Sequence, residues 1–373
     1  MLRVLEINVD DHLNGGVYVL VRDIVKRLPD HIKADIAALE EFDDPNHIEQ
    51  FKKYDCNVYY VGYRKNKLLK QIKIYKNVKK LIKDNGYDVV HIHSDVSHKL
   101  LISGLAAKQA GVKRIILHSH ANDVEGTHKS LRRLFHKLGT VILRTIPAVY
   151  LATSEDAGKW MFPWLKLDQF MVLDNGVDYD RFKFNDDKRL SIRRELGVDD
   201  KYVIGMVGRF VYQKNVFYIP KIMKELVKNH SDVRLVCVGD GPLKEEFTNQ
   251  VKDLGLDDYI TMVGIQDNIE DYYQAFDVFI MPSAFEGFGL TAVEAQISRT
   301  PVIASVNVPE ATRISDHITY LPIEENSIGD WCSGIMNYMS WNKNDSVDID
   351  TKYDIKRFVD SVIGLYEWRQ NED

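Results

Sequence analysis

The chain has 373 residues, 45% of them hydrophobic and 28% charged, with a net charge of −6. That length sets an expectation of two domains, and the balance is that of an ordinary globular chain rather than a disordered or fibrous one. No apolar run reaches the ~20 residues of a membrane-spanning helix. The three cysteines match no metal spacing, and Met1–Leu5 enters a strand-like run without a signal-peptide pattern, so a reducing, cytoplasmic setting is expected.

In chain order, short β-branched runs predict strands at Arg3–Asn8, Ala34–Leu39, Val58–Val61, Val89–His93, Arg114–His118 and Val149–Thr153. A second set follows at Tyr202–Val207, Arg234–Val238, Ile260–Val263, Val278–Met281 and Val302–Ala304. Helical patterns lie between them; Val17, Leu20, Val21, Ile24, Val25 and Leu28 mark one buried face. This alternation predicts an α/β architecture of two Rossmann-like domains with parallel sheets facing across a cleft. The expected boundaries are 1–175, a charged, strandless linker at 176–200, and 201–352. A final helix, with Ile355, Phe358, Val362, Ile363 and Tyr366 in register, is expected to return to the first domain as residues 353–371.

Charge is unevenly spread. Residues 51–150 hold 20 basic and 6 acidic residues. The segment Tyr63–Lys83 has nine Lys/Arg and no acid, with Leu68, Ile72, Tyr75, Val78 and Ile82 as an expected apolar stripe; Gly126–Ser154 is a second acid-free stretch. Such a surface suits an anionic partner. We expect electrostatic, peripheral contact with an anionic membrane, without deep insertion, and no nucleic-acid partner.

Ligands of open α/β sheets bind at the carboxyl ends of the strands, and unusual residues cluster there. After Tyr202–Val207 come Gly208, Arg209 and, five residues on, Lys214. A guanidinium fork and an ammonium suit a diphosphate whose charge grows as a glycosyl bond breaks. After Val278–Met281 comes Pro-Ser-Ala-Phe-Glu-Gly-Phe-Gly-Leu-Thr, leading into a helix. Its glycines admit close backbone approach, and the helix N-terminus favours phosphate. Glu286 sits in that loop and Glu294 about two turns into the helix, so the two carboxylates can hold different parts of one ligand through hydroxyls.

With these motifs the chain resembles the family 4 glycosyltransferases, retaining enzymes of the GT-B fold, of the kind that build bacterial capsule and exopolysaccharide. The hallmark glutamate pair is matched by Glu286 and Glu294, the glycine pair after the first strand by Gly15 and Gly16, and the histidine loop by Leu117-His118-Ser119. Asn175-Gly176-Val177-Asp178 matches the domain crossover and Gly239-Asp240-Gly241-Pro242 the Gly-x-Gly-Pro turn. The resemblance implies that Arg209 and Lys214 neutralise the donor diphosphate, Glu286 holds the transferred sugar and Glu294 the ribose. It further implies that Gly287, Phe288, Gly289, Leu290 and Thr291 contact sugar and phosphate, Gly264 and Ile265 border the base, and Gly15, Gly16, Gly239 and Gly241 lie along the donor. His118 would stand beside the reacting sugar, with His120 as an alternative for that position and His93 and His120 as acceptor-side candidates.

The implied reaction moves a sugar from a nucleotide diphosphate sugar, UDP-linked in the expected case, to a saccharide or polyprenyl-linked acceptor. It needs no cofactor and no metal: the cations take a metal's place, and no Asp-x-Asp motif lies in the expected context. One glutamate is committed to ribose, so the two-carboxylate route of retaining glycosidases is not available, and front-face departure needs only positioning and charge stabilisation. The pairs His91/His93 and His118/His120 each share a strand face, but no carboxylate or cysteine is seen to complete a metal set. Two alternatives remain open: a UDP-sugar 2-epimerase of the same fold, and a non-catalytic glycosyltransferase-like subunit. A dehydrogenase is disfavoured because Gly15-Gly16 lacks a full Gly-x-Gly-x-x-Gly.

Overall fold

The computed structural model describes residues 1–11, 16–66, 69–121, 129–174 and 176–367. The chain forms two compact units, Met1–Gly176 with Tyr353–Asp373, and Val177–Lys352. Of the residues singled out above, Gly15, Leu68, Gly126 and Asn175 fall outside the described residues, as does the end of the expected last helix, 368–371.

The first unit runs β1 (Leu2–Ile7), α1 (Gly16–Val25), β2 (Ile32–Ala38), α2 (Pro45–Lys52), β3 (Val58–Tyr60), α3 (Lys70–Asn85), β4 (Val89–Ser94), α4 (Ser97–Ala110), β5 (Arg114–Ser119), α5 (Lys129–Leu143), β6 (Val149–Ala152), α6 (Glu155–Met161) and β7 (Met171–Val172). Its strands lie in the order β3-β2-β1-β4-β5-β6-β7, all parallel. A strand alternates sides at every residue, so β1 sends Leu5 and Ile7 into one core layer with Val90, Ile92 and Leu117. Val4 goes into the other, with Val89 and Ile116. Covering both faces is what makes these strands continuous apolar runs.

Two readings of this unit change. On α3 the buried residues are Ile74, Val78 and Ile82, and Ile72 is exposed. The i, i+4, i+8 row that faces α4 is therefore rotated from the expected stripe, because packing selects one of two adjoining apolar rows. Strand β7 carried no periodic signal, since it is two residues long and both are exposed.

The second unit runs α7 (Tyr179–Phe182), α8 (Asp186–Leu196), β8 (Tyr202–Val207), α9 (Ile219–Leu226), β9 (Val233–Val238), α10 (Lys244–Asp253), β10 (Ile260–Gly264), α11 (Ile269–Ala275), β11 (Val278–Met281), α12 (Leu290–Ile297), β12 (Val302–Ser305), β13 (Ile318–Leu321) and α13 (Ile328–Met336). The strand order is β10-β9-β8-β11-β12-β13, again parallel. The stretch 176–200, expected as a linker, is instead folded onto this unit. Asn185 caps α8 by accepting the Lys188 N–H at 2.9 Å, and Arg193 on α8 pairs with Asp277 at 3.0 Å. Arg181, Lys188, Arg189 and Arg193 are thus partners in ion pairs with Glu270, Asp271 and Asp277 rather than the solvated surface of a connector. Strand β13 was missed because only Ile318 of its four residues is buried.

The last helix, α14 (Ile355–Glu367), belongs to the first unit. Ile355, Phe358, Val359, Val362, Leu365 and Tyr366 join the same core layer as Val4 and α1. At its start the chain passes against the crossover: a Cβ on Gly176 would stand 2.7 Å from Ile355 Cα.

Candidate active site

In the second unit the chain winds outward through β8, β9 and β10, then returns and winds the other way through β11, β12 and β13. The reversal falls between β8 and β11, the point where such sheets open a crevice for ligands. Both loops that leave these strands carry the expected residues. After β8, a turn of 3-10 helix at Tyr212–Lys214 brings Lys214 back over the strand end. After β11, the chain reaches Glu286 five residues beyond Met281.

The two loops are tied together. Lys214 Nζ lies 2.8 Å from Glu286 Oε1, with the two side chains 17% and 7% exposed. Gln213 donates to the other carboxylate oxygen at 3.4 Å, and Ala284 N–H donates to Gln213 O at 2.8 Å. Arg209 is exposed and makes no ion pair among the described residues. Helix α12 opens after Gly289, whose φ of 101° needs a residue without a Cβ, and no side chain caps it. Ala292 N–H donates to Gly289 O at 3.0 Å, and the other first-turn N–H groups suit an external acceptor.

Glu294 lies on α12, where its Oε2 accepts the Tyr273 hydroxyl at 2.7 Å. Burial raises its pKa above the usual carboxylate value, and the Tyr273 hydrogen bond with the charges of Arg181 and Lys214 only partly offsets that. Thr291 contacts Met281 Sδ through its hydroxyl at 3.7 Å. Ile265, just past the end of β10 at Gly264, is 57% exposed. Phe288 and Leu290 are half-buried in the β11–α12 connection.

The glycines divide by physical cause. A Cβ on Gly239 would stand 2.1 Å from Gly208 O, and one on Gly241 would stand 2.6 Å from Phe210 O. The Gly-Asp-Gly-Pro turn is therefore pressed against the Gly208–Phe210 backbone, and Phe210 N–H donates to Asp240 O at 3.0 Å. Packing alone accounts for those two. At Gly16 and Gly287 no atom lies within 4 Å of where a Cβ would be, and neither has a positive φ. Nothing among the described residues demands glycine there.

In the first unit the histidines meet a carboxylate that the spacing did not reveal. Register pairs Glu6 with His91 and His93 with His118, and all four point to the core layer beneath α14. His93 Nε2 is 2.7 Å from Glu6 Oε2 and His91 Nδ1 is 3.2 Å from the same atom. Tyr366 of α14 hydrogen-bonds Glu6 and lies 3.0 Å from His91 Nδ1. His91 continues to His118 at 3.2 Å, and His93 to His120 at 2.9 Å. Thus a carboxylate does accompany the histidines, and ring nitrogens of His91, His93 and His118 lie within 4.8 Å of one another. The signal available in sequence was a lone acid within the apolar run Val4-Leu5-Glu6-Ile7.

Burial would raise the Glu6 pKa, but the charge and hydrogen bonds of His91 and His93 hold it well below the carboxylate range. Burial and the neighbouring His91 push His93 down to about 4, Glu6 opposing. His118 and His120 are held well below the usual value by burial and by the other histidines. His118 and His93 are fully buried, and the Nε2 of His118 has no partner among the described residues. His120, at the end of β5, is the half-buried one. Elsewhere in this unit, a cavity of about 60 Å³ is lined by Lys70, His98, Lys99 and Glu40 among others; the sequence reading had not combined these.

Two family patterns match consecutive parts of the chain: Glycosyltransferase Family 4 over residues 14–181 and Glycosyl transferases group 1 over residues 188–347. The chain belongs to the group 1, family 4-like glycosyltransferases. It is 31% identical to the putative glycosyltransferase EpsF of Bacillus subtilis over 63% of this chain and 62% of that protein's length. It is 28% identical, over 80% of both chains, to the UDP-Gal:alpha-D-GlcNAc-diphosphoundecaprenol alpha-1,3-galactosyltransferase of Escherichia coli. Among solved structures, Anabaena HepE in complex with UDP shares the fold with a TM-score of 0.74 at 18% identity, covering 97% of this chain and 98% of that one. The two parallel-sheet Rossmann-like units of this glycosyltransferase are those of GT-B enzymes.

Proposed function

We propose that this glycosyltransferase moves a sugar from a UDP-sugar to a lipid-linked saccharide in cell-surface glycan assembly, with retention of configuration and without a metal ion. The observation that carries the reading is the Lys214–Glu286 pair at the reversal of the second sheet, beside the exposed Arg209. When the donor binds, Lys214 and Arg209 take the diphosphate and Glu286 is released to the sugar hydroxyls. Charge then builds on the leaving diphosphate next to two fixed cations and the open N-terminus of α12, which lowers the barrier electrostatically. Glu294 accepts from the ribose, Gly287 lets its backbone approach the sugar, and Ile265 borders the base.

In the first unit, Gly16 N–H is assigned to a donor phosphate oxygen. His120 is assigned to the reacting sugar in place of His118, which is wholly inside the histidine cluster. The cavity at Lys70 and Lys99 is offered to an anionic acceptor group, which would draw Lys70 from its pair with Glu40 at 3.1 Å. The E. coli relative's name specifies UDP-galactose and a diphosphoundecaprenol acceptor; with the basic first unit, this supports a polyprenyl diphosphate acceptor and peripheral contact with an anionic membrane at its inner face.

The test is a panel of nucleotide sugars screened for thermal stabilisation and hydrolysis, with and without EDTA. A UDP-sugar hydrolysed equally in EDTA, with the α-anomer formed on transfer from an α-linked donor, is the expected result. Activity lost in EDTA and restored by magnesium or manganese overturns the metal-free mechanism. Conversion of UDP-N-acetylglucosamine to its epimer without acceptor overturns the transferase reading.

A further inference from the structure

Helix α5 turns its apolar side away from the protein. His136, Thr140 and Leu143 face inward. Gly139 allows so close an approach to α4 that a Cβ there would stand 2.3 Å from Ser97 Oγ. The helix is locked in this rotation by Ser97, whose hydroxyl donates to His136 O at 2.8 Å and whose N–H donates to His136 Nδ1 at 3.2 Å. The opposite face then carries Leu131, Leu134, Phe135, Leu138, Val141 and Ile142, each 50–61% exposed. Single exposed apolar residues are ordinary, but six in a row at i, i+3, i+4, i+7, i+10 and i+11 form a continuous patch that marks a contact surface.

Charge identifies the occupant. The chain from Gly126 to Ser154 contains Lys129, Arg132, Arg133, Lys137 and Arg144 and no acid. Arg133 and Lys137, one turn apart, flank the apolar row. A protein-binding patch is depleted of charge at its centre and has a polar rim. An apolar stripe beside cations alone is the pattern of a helix lying in an anionic lipid interface. The neighbouring α3, packed on α4, adds exposed Lys73, Lys76 and Lys80 to the same helical layer. No helix among the described residues is long and apolar enough to cross a membrane.

We propose that α5 docks this enzyme on an anionic bilayer, lying in the membrane plane with its apolar row in the headgroup–acyl boundary and Lys137 and Arg144 on lipid phosphates. This deepens the peripheral membrane contact proposed above and rests on it. It replaces purely electrostatic attachment through α3 with shallow insertion of α5.

The experiment uses the full chain and sedimentation with vesicles of phosphatidylcholine, with and without phosphatidylglycerol, at low and high salt. Wild type is expected to bind anionic vesicles, with a salt-resistant fraction. The variant Leu134→Gln/Phe135→Gln/Leu138→Gln should bind about 100-fold more weakly or less with an unchanged melting temperature, whereas Lys73→Gln/Lys76→Gln/Lys80→Gln should lose only the salt-sensitive part. A fluorophore on Phe135→Cys, in a Cys332→Ser background, should shift to the blue on binding and be quenched by acyl-chain probes. Wild-type binding that vanishes at high salt, or is unaffected by the apolar variant, overturns the proposal. So does a wild-type dimer that this variant makes monomeric, which assigns the face to a second copy. Donor hydrolysis should persist in the variant; its loss in a folded variant assigns the face to the reaction and overturns docking. If vesicles bind as expected but no sugar nucleotide is turned over, docking stands and the proposed reaction falls.

Discussion

Lys214 and Glu286 hold each other at 2.8 Å across the reversal point of the second sheet, each largely shielded from water. In this pair the cation proposed for the diphosphate and the carboxylate proposed for the sugar neutralise one another. Neither is then an unpaired charge in a desolvated site, which would be costly. On the proposed reading, donor binding exchanges this pair for two contacts to one ligand. Lys214→Ala and Arg209→Ala should each lower kcat/KM by roughly 10- to 150-fold, the equivalent of about 1.5–3 kcal/mol for a charge-assisted contact. Glu286→Gln should reduce transfer far more than UDP affinity, as steady-state kinetics beside calorimetric titration with UDP will show. Wild-type rates in both cation variants would remove the donor site from this crevice.

Glu294 ties donor affinity to pH. Its pKa is raised by burial, and only its ionised form is a pure acceptor for ribose hydroxyls. UDP affinity should therefore be full above that raised pKa and fall as pH drops through it. Tyr273→Phe deletes the hydroxyl that stabilises the carboxylate and should move the fall to higher pH. Calorimetric titration of UDP from pH 5 to 8 reads both curves; coincident curves would sever Glu294 from the ribose.

The histidine cluster ties stability of the first unit to pH. His93, His118 and His120 have folded pKa values below the ordinary value of 6.5. The unfolded chain therefore takes up protons as pH falls below 6.5 while the folded one does not. Stability is full above that point and declines as pH falls toward 4, by about 1.4 kcal/mol per pH unit for each such histidine. Glu6, held well below the carboxylate range, stays ionised across this window. Thermal unfolding followed from pH 7.5 to 4.5 should show the decline, with a shallower slope in His118→Asn.

The two kinds of glycine should separate stability from activity. Gly239→Ala places a Cβ 2.1 Å from the Gly208 carbonyl oxygen at a φ of 129° and should cost about 1–3 kcal/mol or more, seen as a lowered melting temperature. Gly16→Ala meets open space and should leave the melting temperature unchanged or slightly higher, while lowering donor turnover. Equal turnover in Gly16→Ala and wild type would take Gly16 out of the donor site.

The sequence by itself determined the periodic and the local. Runs such as Tyr202–Val207 and Val278–Met281 coincide with β8 and β11 because strands buried on both faces have no polar residue to blur their ends. Arg209, Lys214, Glu286 and Glu294 were legible because they sit at fixed short distances after those strands. Tertiary structure decided what depends on residues distant in sequence. Glu6 and Tyr366 are 360 positions apart and meet only because α14 covers the face of β1 that bears Glu6. His118 and His120 share a strand face, so alternation does not separate them; His118 lies within β5 and is covered by the histidine cluster, while His120 lies just past its end at Ser119 and is half-buried. For α5 the composition showed an acid-free stretch, but neither the helix nor which face packs; the close approach of Gly139 to Ser97 settled the face, because a small, hydrogen-bonding surface holds a helix nearer than leucines can.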